Sequence, residues 1–571
     1  MVKSAKKSRQ TTLGRGALSR ANGIRLVACC LAAFVASCQQ TGEQSAGGDP
    51  STEFAAETPR PNILLIVADD LGYADLSIFG SEIPTPNIDS LARKGVLLTN
   101  FYANMACSPT RAMLMSGTDS HLAGLGVMGR PSNPVQQGEP GYEGYLNFRV
   151  ASLANLMKDA GYHTYMAGKW HLGDTVETGP RARGFEKSFI SIDGASHLGG
   201  LSWNGPGLAP YRDGDELVTV GEDFYTTRFY TNRMIDYIES GREDEKPFFA
   251  YLAYTAPHWP LQAPRESIEK FSGQYDDGYE ALYRRRFEKM KALGFIPEDA
   301  PGLPPVAGQP AWNDLTEKQQ RIESRKMEIY AAMVSDLDSY IGKVIDYLKS
   351  TGEFDNTFIF FMSDNGPEAQ RRDLAAPLSD WVAECCDNSY ENLGNGDSYV
   401  MYGPNWARAS STAFYRAKGT GFEGGIHVPA FAYHPGHVEG GGRNDQFSTV
   451  MDLLPTLLDL AGAEHPQETY EGRPILPVKG RSMLPALKNA ETPVHDASGY
   501  VGWELFGHRA IRQGEWKLVW DAAEGDDATW ALFNLADDPQ EQSDLSEAEP
   551  QRLKALISLW KQYHAENGLQ P

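Results

Sequence analysis

The chain has 571 residues, 41% hydrophobic and 22% charged, enough for one large α/β domain plus a smaller appendage. No run reaches the roughly 18–20 apolar residues needed to span a bilayer. The formal charge is −23, and so acidic a surface repels phosphate backbones, which argues against a nucleic-acid partner.

The first residues read as an address. Lys3, Lys6, Lys7, Arg9, Arg15, Arg20 and Arg25 precede an apolar run at 26–36 that is too short to be a span. The run ends in Val35-Ala36-Ser37-Cys38, which resembles the lipobox of bacterial lipoproteins, where the cysteine is lipidated and becomes the new N-terminus. Residues 1–37 are therefore expected to be a signal peptide. Residues 38–58, rich in Gly, Ser and Glu, would be a flexible tether. This places the protein in the periplasm or outer membrane of a bacterium, touching the membrane only through lipid on Cys38. Losing the seven basic residues takes the charge from −23 to −30. An anionic substrate must then be drawn in by a local positive site. Cys107, Cys385 and Cys386 remain in the body. The adjacent pair offers no disulfide framework and is left open, as free thiols or as a strained, redox-active pair.

Residues 62–68 (NILLIVA) form a continuous apolar run, the pattern of a strand buried on both faces in a parallel sheet. It stops at Asp69-Asp70. Similar runs at 248–254 (FFAYLAY) and 357–362 (TFIFFM) stop before His258 and at Ser363-Asp364-Asn365. Carboxylates at the C-terminal ends of such strands match the place where open α/β sheets bind ligands. Between them, Met333, Leu337, Ile341, Val344 and Leu348 step by three or four and predict a packed helix over 323–349. Residues 448–461 predict another helix, bent near Pro455. Beyond 478 short strands at 510–512, 516–520 and 530–534 and a closing helix at 550–567 suggest a small antiparallel subdomain. The expected division is a catalytic domain at 59–477 and an α+β subdomain at 478–571.

The decisive segment is Cys107-Ser108-Pro109-Thr110-Arg111. With Ser108 as the cap, Pro109 in the first turn and Gly117 at the end, it predicts a helix with Cys107 at its N-terminus. The dipole there favours anions and would lower the pKa of the thiol. Arg111 lies one turn on and can reach the same point. In an extended segment Lys169 and His171 share a face and can reach one anion. Asp69, Asp70, Asp364 and Asn365 are oxygen donors, suited to Ca²⁺ or Mg²⁺ rather than zinc. Glu423 and the acids of 384–397 read as a solvated rim, and His121 and His163 as structural. His427 is expected to be packed or to support the site from behind.

Cys-x-Pro-x-Arg resembles the signature of the sulfatase family, and CSPTRAMLMSGTDSHLAGLG is similar to its bacterial arylsulfatase branch. PNILLIVADDLGYADL, GYHTYMAGKWHLG, APHWPLQAP, FMSDNGPE, AKGTGFEGGIHVPA and LFNLADDPQEQSDLS follow in family order along nearly the whole mature chain. The resemblance implies an alkaline-phosphatase-like fold: a large, mostly parallel mixed sheet between helices, with the smaller C-terminal subdomain. It implies a metal held by Asp69, Asp70, residue 107, Asp364 and Asn365. It also implies oxidation of Cys107 to formylglycine by a formylglycine-generating enzyme. One hydroxyl of the hydrated aldehyde, deprotonated with help from Asp364, would attack sulfur. Arg111 and Lys169 would hold the sulfate oxygens. His258, supported by Lys418, would serve the departing alcohol, and His171 would take the proton whose loss expels sulfate. The offset of Lys418 from Gly424-Gly425 fits the family's catalytic lysine, whereas His427 stands where the branch usually has Arg. The implied substrate is a small aryl or alkyl sulfate ester. Phosphonate monoesters or phosphodiesters, and an inactive lipoprotein that binds sulfated glycans, remain the alternatives.

Overall fold

The run NILLIVA forms strand β1 (Asn62–Ala68), buried along its whole length. The computed structural model describes residues 60–570 except 193, 195, 203, 204 and 206, so the leader, Cys38 and the tether lie outside the described residues. β1 sits inside a ten-stranded sheet. The other strands are β2 (Val96–Leu98), β3 (His163–Lys169), β4 (Lys187–Ser191), β5 (Tyr211–Asp213), β6 (Glu216–Val218), β7 (Phe248–Ala253), β8 (Thr357–Ser363), β9 (Ala430–Tyr433) and β10 (Gly442–Asn444). Their spatial order is β10-β2-β9-β8-β1-β7-β3-β4-β5-β6. The five strands from β8 to β4 pair in parallel, as continuous apolar runs predict. β9 is antiparallel to both its neighbours, and β5 and β6 close the far side antiparallel.

Side chains of β1 alternate between two cores. Leu64, Ile66 and Ala68 join one layer, Ile63, Leu65 and Val67 the other. Helix α1 (Cys107–Ser116) contributes to the second layer. Helix α2 (Thr226–Gly241) and the long α3 (Glu317–Thr351) cover the first. The predicted apolar stripe of α3 is buried, but the helix starts earlier than its periodicity shows. Thr316 and Gln319 form a reciprocal capping box, a signal legible in the sequence and passed over.

Residues 448–461 are not one helix. Ser448–Thr449 pairs with Phe101–Tyr102, a single 3₁₀ turn follows, and α4 runs only over Leu453–Ala461. Asp452 explains the break, since its carboxylate accepts from the Thr449 backbone N–H at 2.7 Å and so caps a new turn. Pro455 then falls in the first turn of α4, where its missing N–H is harmless.

At the C-terminal end β11 (Val501–Leu505), β12 (His508–Gln513), β13 (Trp516–Trp520) and β14 (Trp530–Asn534) form an antiparallel sheet. Its period-2 pattern serves two partners. Ile511, Leu518 and Leu532 pack on helix α5 (Pro550–Asn567), while Ala510, Val519 and Phe533 join the second layer of the large core. Trp503 fastens the sheet by donating from Nε1 to the Ala103 carbonyl at 2.9 Å. Among the described residues no helix is long and apolar enough to cross a membrane.

Candidate active site

Four adjacent strands deliver the site. Ala68 of β1 is level with Ser363 of β8, so Asp69-Asp70 and Asp364-Asn365 emerge side by side, tied by Asp364 N–H to the Ala68 carbonyl at 3.1 Å. On the other flank of β1, the Asp69 N–H donates to Ala256, which sets His258 beside the same edge. β3 ends at Lys169. Gly168 permits that approach, because a Cβ there would lie 1.7 Å from the Ala253 carbonyl oxygen.

Helix α1 points its first residue at this edge. Cys107 Sγ lies 3.4 Å from Asp69 Oδ1 and 3.8 Å from Asp70 Oδ1. The helix starts two residues earlier than predicted. Its cap is Ala106, in an extended conformation, and the buried Ser108 hydroxyl has no hydrogen-bond partner. Gly117 closes the helix in the left-handed region, as predicted. The expected thiolate is not supported. Burial and the nearby Asp364 carboxylate push the Cys107 thiol well above its usual range despite Lys169 and Lys418.

Cations surround this point. Arg111 donates from Nε and Nη2 to Asp364 and from Nη1 to the Lys169 carbonyl and to Tyr251. Lys169 Nζ grips Asp69 at 2.8 and 3.1 Å, and Lys418 Nζ grips Asp70 at 2.7 and 2.9 Å. Lys418 is no solvated charge. Its backbone N–H bonds to Pro367 and that of Gly419 to Met105, stitching its loop between the β8 turn and α1. Burial alone would lower the pKa of both ammonium groups, but their carboxylate partners outweigh it and hold both charged. Asp69 is pulled the other way: burial raises it, while Lys169, His258, Arg111 and Lys418 together hold it well below the carboxylate range. Asp364 is pushed up to about 6 by burial and by the charge of Asp69.

His258 donates from Nδ1 to the Trp259 carbonyl, leaving Nε2 3.5 Å from Asp70 Oδ2. Burial lowers its pKa to about 4 against the pull of Asp70 and Asp69. His171 departs from expectation. β3 stops at Lys169 and His171 adopts φ 56, so the two do not share the face of one extended strand. Its Nδ1 is buried without a partner, and burial followed by the charges of Lys169 and Arg111 drives its pKa well below 6.5.

The donor set fits a hard cation. Asn365 spends its Nδ2 on Asp70 at 2.7 Å and on Gly366, which leaves Oδ1 buried and without a partner among the carboxylates. Asp69, Asp70, Cys107 and His258 bring ligand atoms within 4.8 Å of one another. An orphaned amide oxygen beside three carboxylates is what Ca²⁺ or Mg²⁺ would satisfy.

Sequence reasoning passed over Tyr251, which reads simply as part of a buried run, and Glu368, 3.6 Å from Lys418 inside the segment FMSDNGPE. It misplaced Glu423, which is buried and bonded to Lys517 at 2.6 Å, to Tyr102 and to His427. A glycine-rich turn looks exposed until a distant strand covers it. The acids Glu384, Asp387, Glu391 and Asp397 do face solvent. His121 and His163 are held between carboxylates, and His427 is packed between Tyr102 and Phe414. Cys385 and Cys386 are joined in a disulfide.

Comparison with known proteins agrees with this geometry. The sulfatase family profile matches residues 61–463, and a profile for the C-terminal part of N-sulphoglucosamine sulphohydrolase matches residues 414–566. An uncharacterized sulfatase of Schizosaccharomyces pombe is 45% identical over 528 residues, covering 90% of this chain and 95% of its own. An arylsulfatase of Klebsiella aerogenes is 39% identical, covering 75% and 92%. The crystal structure of Ps i-CgsB in complex with k-i-k-neocarrahexaose superposes with TM-score 0.63 at 26% identity, covering 89% and 93%. The fold and site define a hydrolase of anionic esters. The chain belongs to the sulfatase family, whose members are sulfuric ester hydrolases.

Proposed function

We propose that the protein hydrolyses sulfate monoesters with residue 107 oxidised from cysteine to formylglycine by a formylglycine-generating enzyme. One observation carries this reading: side chain 107 sits at a helix N-terminus, walled by Asp69 and Asp70, with Arg111, Lys169 and Lys418 converging from three different segments. As a buried neutral thiol it is a poor nucleophile, whereas an oxidised side chain supplies a reactive oxygen in the same place.

Asp69, Asp70, Asp364 and Asn365 would hold a Ca²⁺ or Mg²⁺, which when bound polarises the sulfate oxygens and offsets the carboxylates. Arg111 and Lys169, both kept charged, bind the equatorial oxygens. Each such donor is worth about a hundred- to a thousandfold in rate. Asp364, close enough to residue 107 to act on its side chain, is placed to help form the nucleophile. Lys418, held charged at Asp70, carries the proton required by the leaving oxygen, and neutral His258 lies against the same carboxylate to stabilise the departing group. His171, neutral and with a free buried Nδ1, accepts the proton whose departure releases sulfate. Three fixed cations suit a monoanionic sulfate ester, and a phosphate monoester, a dianion, more often meets two metals.

The experiment is the mass of the peptide containing residue 107, from a host able to modify it, read beside turnover of 4-nitrophenyl sulfate with added Ca²⁺. Conversion of thiol to aldehyde removes about 18 Da and should accompany activity. An active enzyme with an intact thiol, or a Cys107→Ala variant as fast as the parent, overturns the reading. Turnover of the corresponding phosphonate monoester above the sulfate would redirect it. The lipid anchor on Cys38 and a periplasmic or outer-membrane location complete the proposal, tested by fatty-acid labelling of the parent and of Cys38→Ala.

A further inference from the structure

Glu368 lies three residues beyond Asn365, buried and outside the set of cation donors. Its Oε2 is 3.6 Å from Lys418 Nζ, and its Oε1 accepts from the Gln370 N–H at 2.8 Å. The turn that carries it is fastened to the lysine loop. The Lys418 N–H donates to the Pro367 carbonyl at 3.1 Å, and the Gly366 N–H to the Gly425 carbonyl at 2.9 Å. Gly366 allows this approach, since a Cβ there would lie 1.8 Å from the Gly424 carbonyl oxygen. Backbone contacts therefore set Glu368 and Lys418 against each other.

An ammonium has three N–H donors on a flexible four-carbon stem. Asp70 takes the two short contacts, at 2.7 and 2.9 Å. At 3.6 Å Glu368 stands beyond hydrogen-bond range, so it attracts the charge without taking a donor. A further N–H stays available to the leaving oxygen. Carboxylates from two segments, one after β1 and one after β8, restrain an ammonium that a single partner would let swing. Asp70, His258 and Glu368 also line one small cavity, which puts Glu368 on the face that serves the departing group.

We propose that Glu368 is a positioning residue: it fixes the Lys418 ammonium toward the departing oxygen and acts on the reaction only through that lysine. The inference rests on the sulfate-ester reading and deepens it at the same site. Its signature is dependence on the leaving group. A 4-nitrophenolate departs with little help, whereas a more basic phenolate needs the proton, so the loss should grow with leaving-group basicity. A purely structural ion pair would slow every ester alike.

The test uses the full-length modified enzyme with 4-nitrophenyl, 3-nitrophenyl and phenyl sulfates. Because burial raises the Glu368 pKa against the pull of Lys418, the rates are compared at pH 8. Glu368→Gln keeps an acceptor for the Gln370 N–H and removes the charge. It should lower kcat/KM for phenyl sulfate about ten- to a hundredfold, part of what a positioned proton donor supplies, and for the 4-nitrophenyl ester less than about threefold. The ratio of the two rates in one preparation is independent of how much of the variant folds. In a Lys418→Met background, Glu368→Gln should change neither rate further. Equal losses on all three esters, or an undiminished loss in the Lys418→Met background, overturn the inference and leave the sulfatase reading standing. A parent enzyme that turns over no sulfate ester overturns both.

Discussion

Arg111 sends two hydrogen bonds to a single oxygen of Asp364, Oδ2, from Nε at 3.0 Å and Nη2 at 2.7 Å, while Nη1 is taken by the Lys169 carbonyl at 2.9 Å. The guanidinium is thus fixed on two sides before any substrate arrives. A lysine ammonium is a point charge and reproduces neither the fork nor the plane. Arg111→Lys should lower kcat/KM for an aryl sulfate about a hundred- to a thousandfold. Arg111→Ala should also destabilise the protein by about 3–5 kcal/mol, since it leaves buried Asp364 uncompensated. Steady-state kinetics and urea unfolding separate the two effects. Activity of the lysine variant within tenfold of the parent would remove Arg111 from its assigned role.

Asn365 makes a second prediction, because its Oδ1 is the buried oxygen that lacks a partner. Stripping divalent ions with chelator should lower the melting temperature, and adding Ca²⁺ back should raise it by the usual mass-action term. Asn365→Ala should weaken that response, shifting the half-effect to higher Ca²⁺ about tenfold or more, with no need for an activity assay. Equal titration curves for parent and variant would show that the amide oxygen is not a ligand.

The parts of the site that lie on buried strands were legible. Asp69-Asp70 and Asp364-Asn365 each end a continuous apolar run, and parallel pairing of two such runs places the pairs together. What escaped depends on non-local closure. His171 leaves the strand through a left-handed residue that no periodicity announces. Glu423 is buried by Lys517, 94 residues away, so its Gly-rich surroundings alone read as surface. The segment 129–145, which lies beside His171, is Gly- and Pro-rich loop with no period to follow, and β11 is too short and mixed (VGWEL) to stand out.

Lys517 offers a test of the join between the small sheet and the site-bearing layer. Its buried ammonium bonds Glu423 Oε1 at 2.6 Å and Glu541 Oε1 at 2.8 Å, and Glu541 in turn accepts from the Glu423 backbone N–H. Burial and the charge of Glu423 push Glu541 up to about 7 despite Lys517. Lys517→Met keeps the volume and strands two carboxylates, so it should destabilise by about 3–5 kcal/mol. The double variant Lys517→Met/Glu423→Gln should recover part of that loss. Chemical denaturation of the single and double variants measures the coupling, and strictly additive losses would refute it.

His121 sets a pH dependence away from Asp69, Asp70 and Asp364. Its Nδ1 meets Asp119 at 2.9 Å and its Nε2 meets Glu504 at 3.0 Å, while Tyr563 donates to the other Asp119 oxygen and the Gly507 N–H to the other Glu504 oxygen. Burial alone would lower its pKa, but the two carboxylates outweigh it and raise it to about 9 from 6.5. A folded pKa above the unfolded one stabilises the fold fully below about pH 6.5, and the contribution fades as pH rises through about 9. The shift corresponds to roughly 3 kcal/mol of stability lost across that window. His121→Asn should be less stable at pH 6, where its two carboxylates stay unpaired, and should flatten the decline from pH 6.5 to 9. Urea unfolding at pH 6, 7.5 and 9 reads both slopes, and parallel slopes for the two proteins would show that His121 is not charged in the fold.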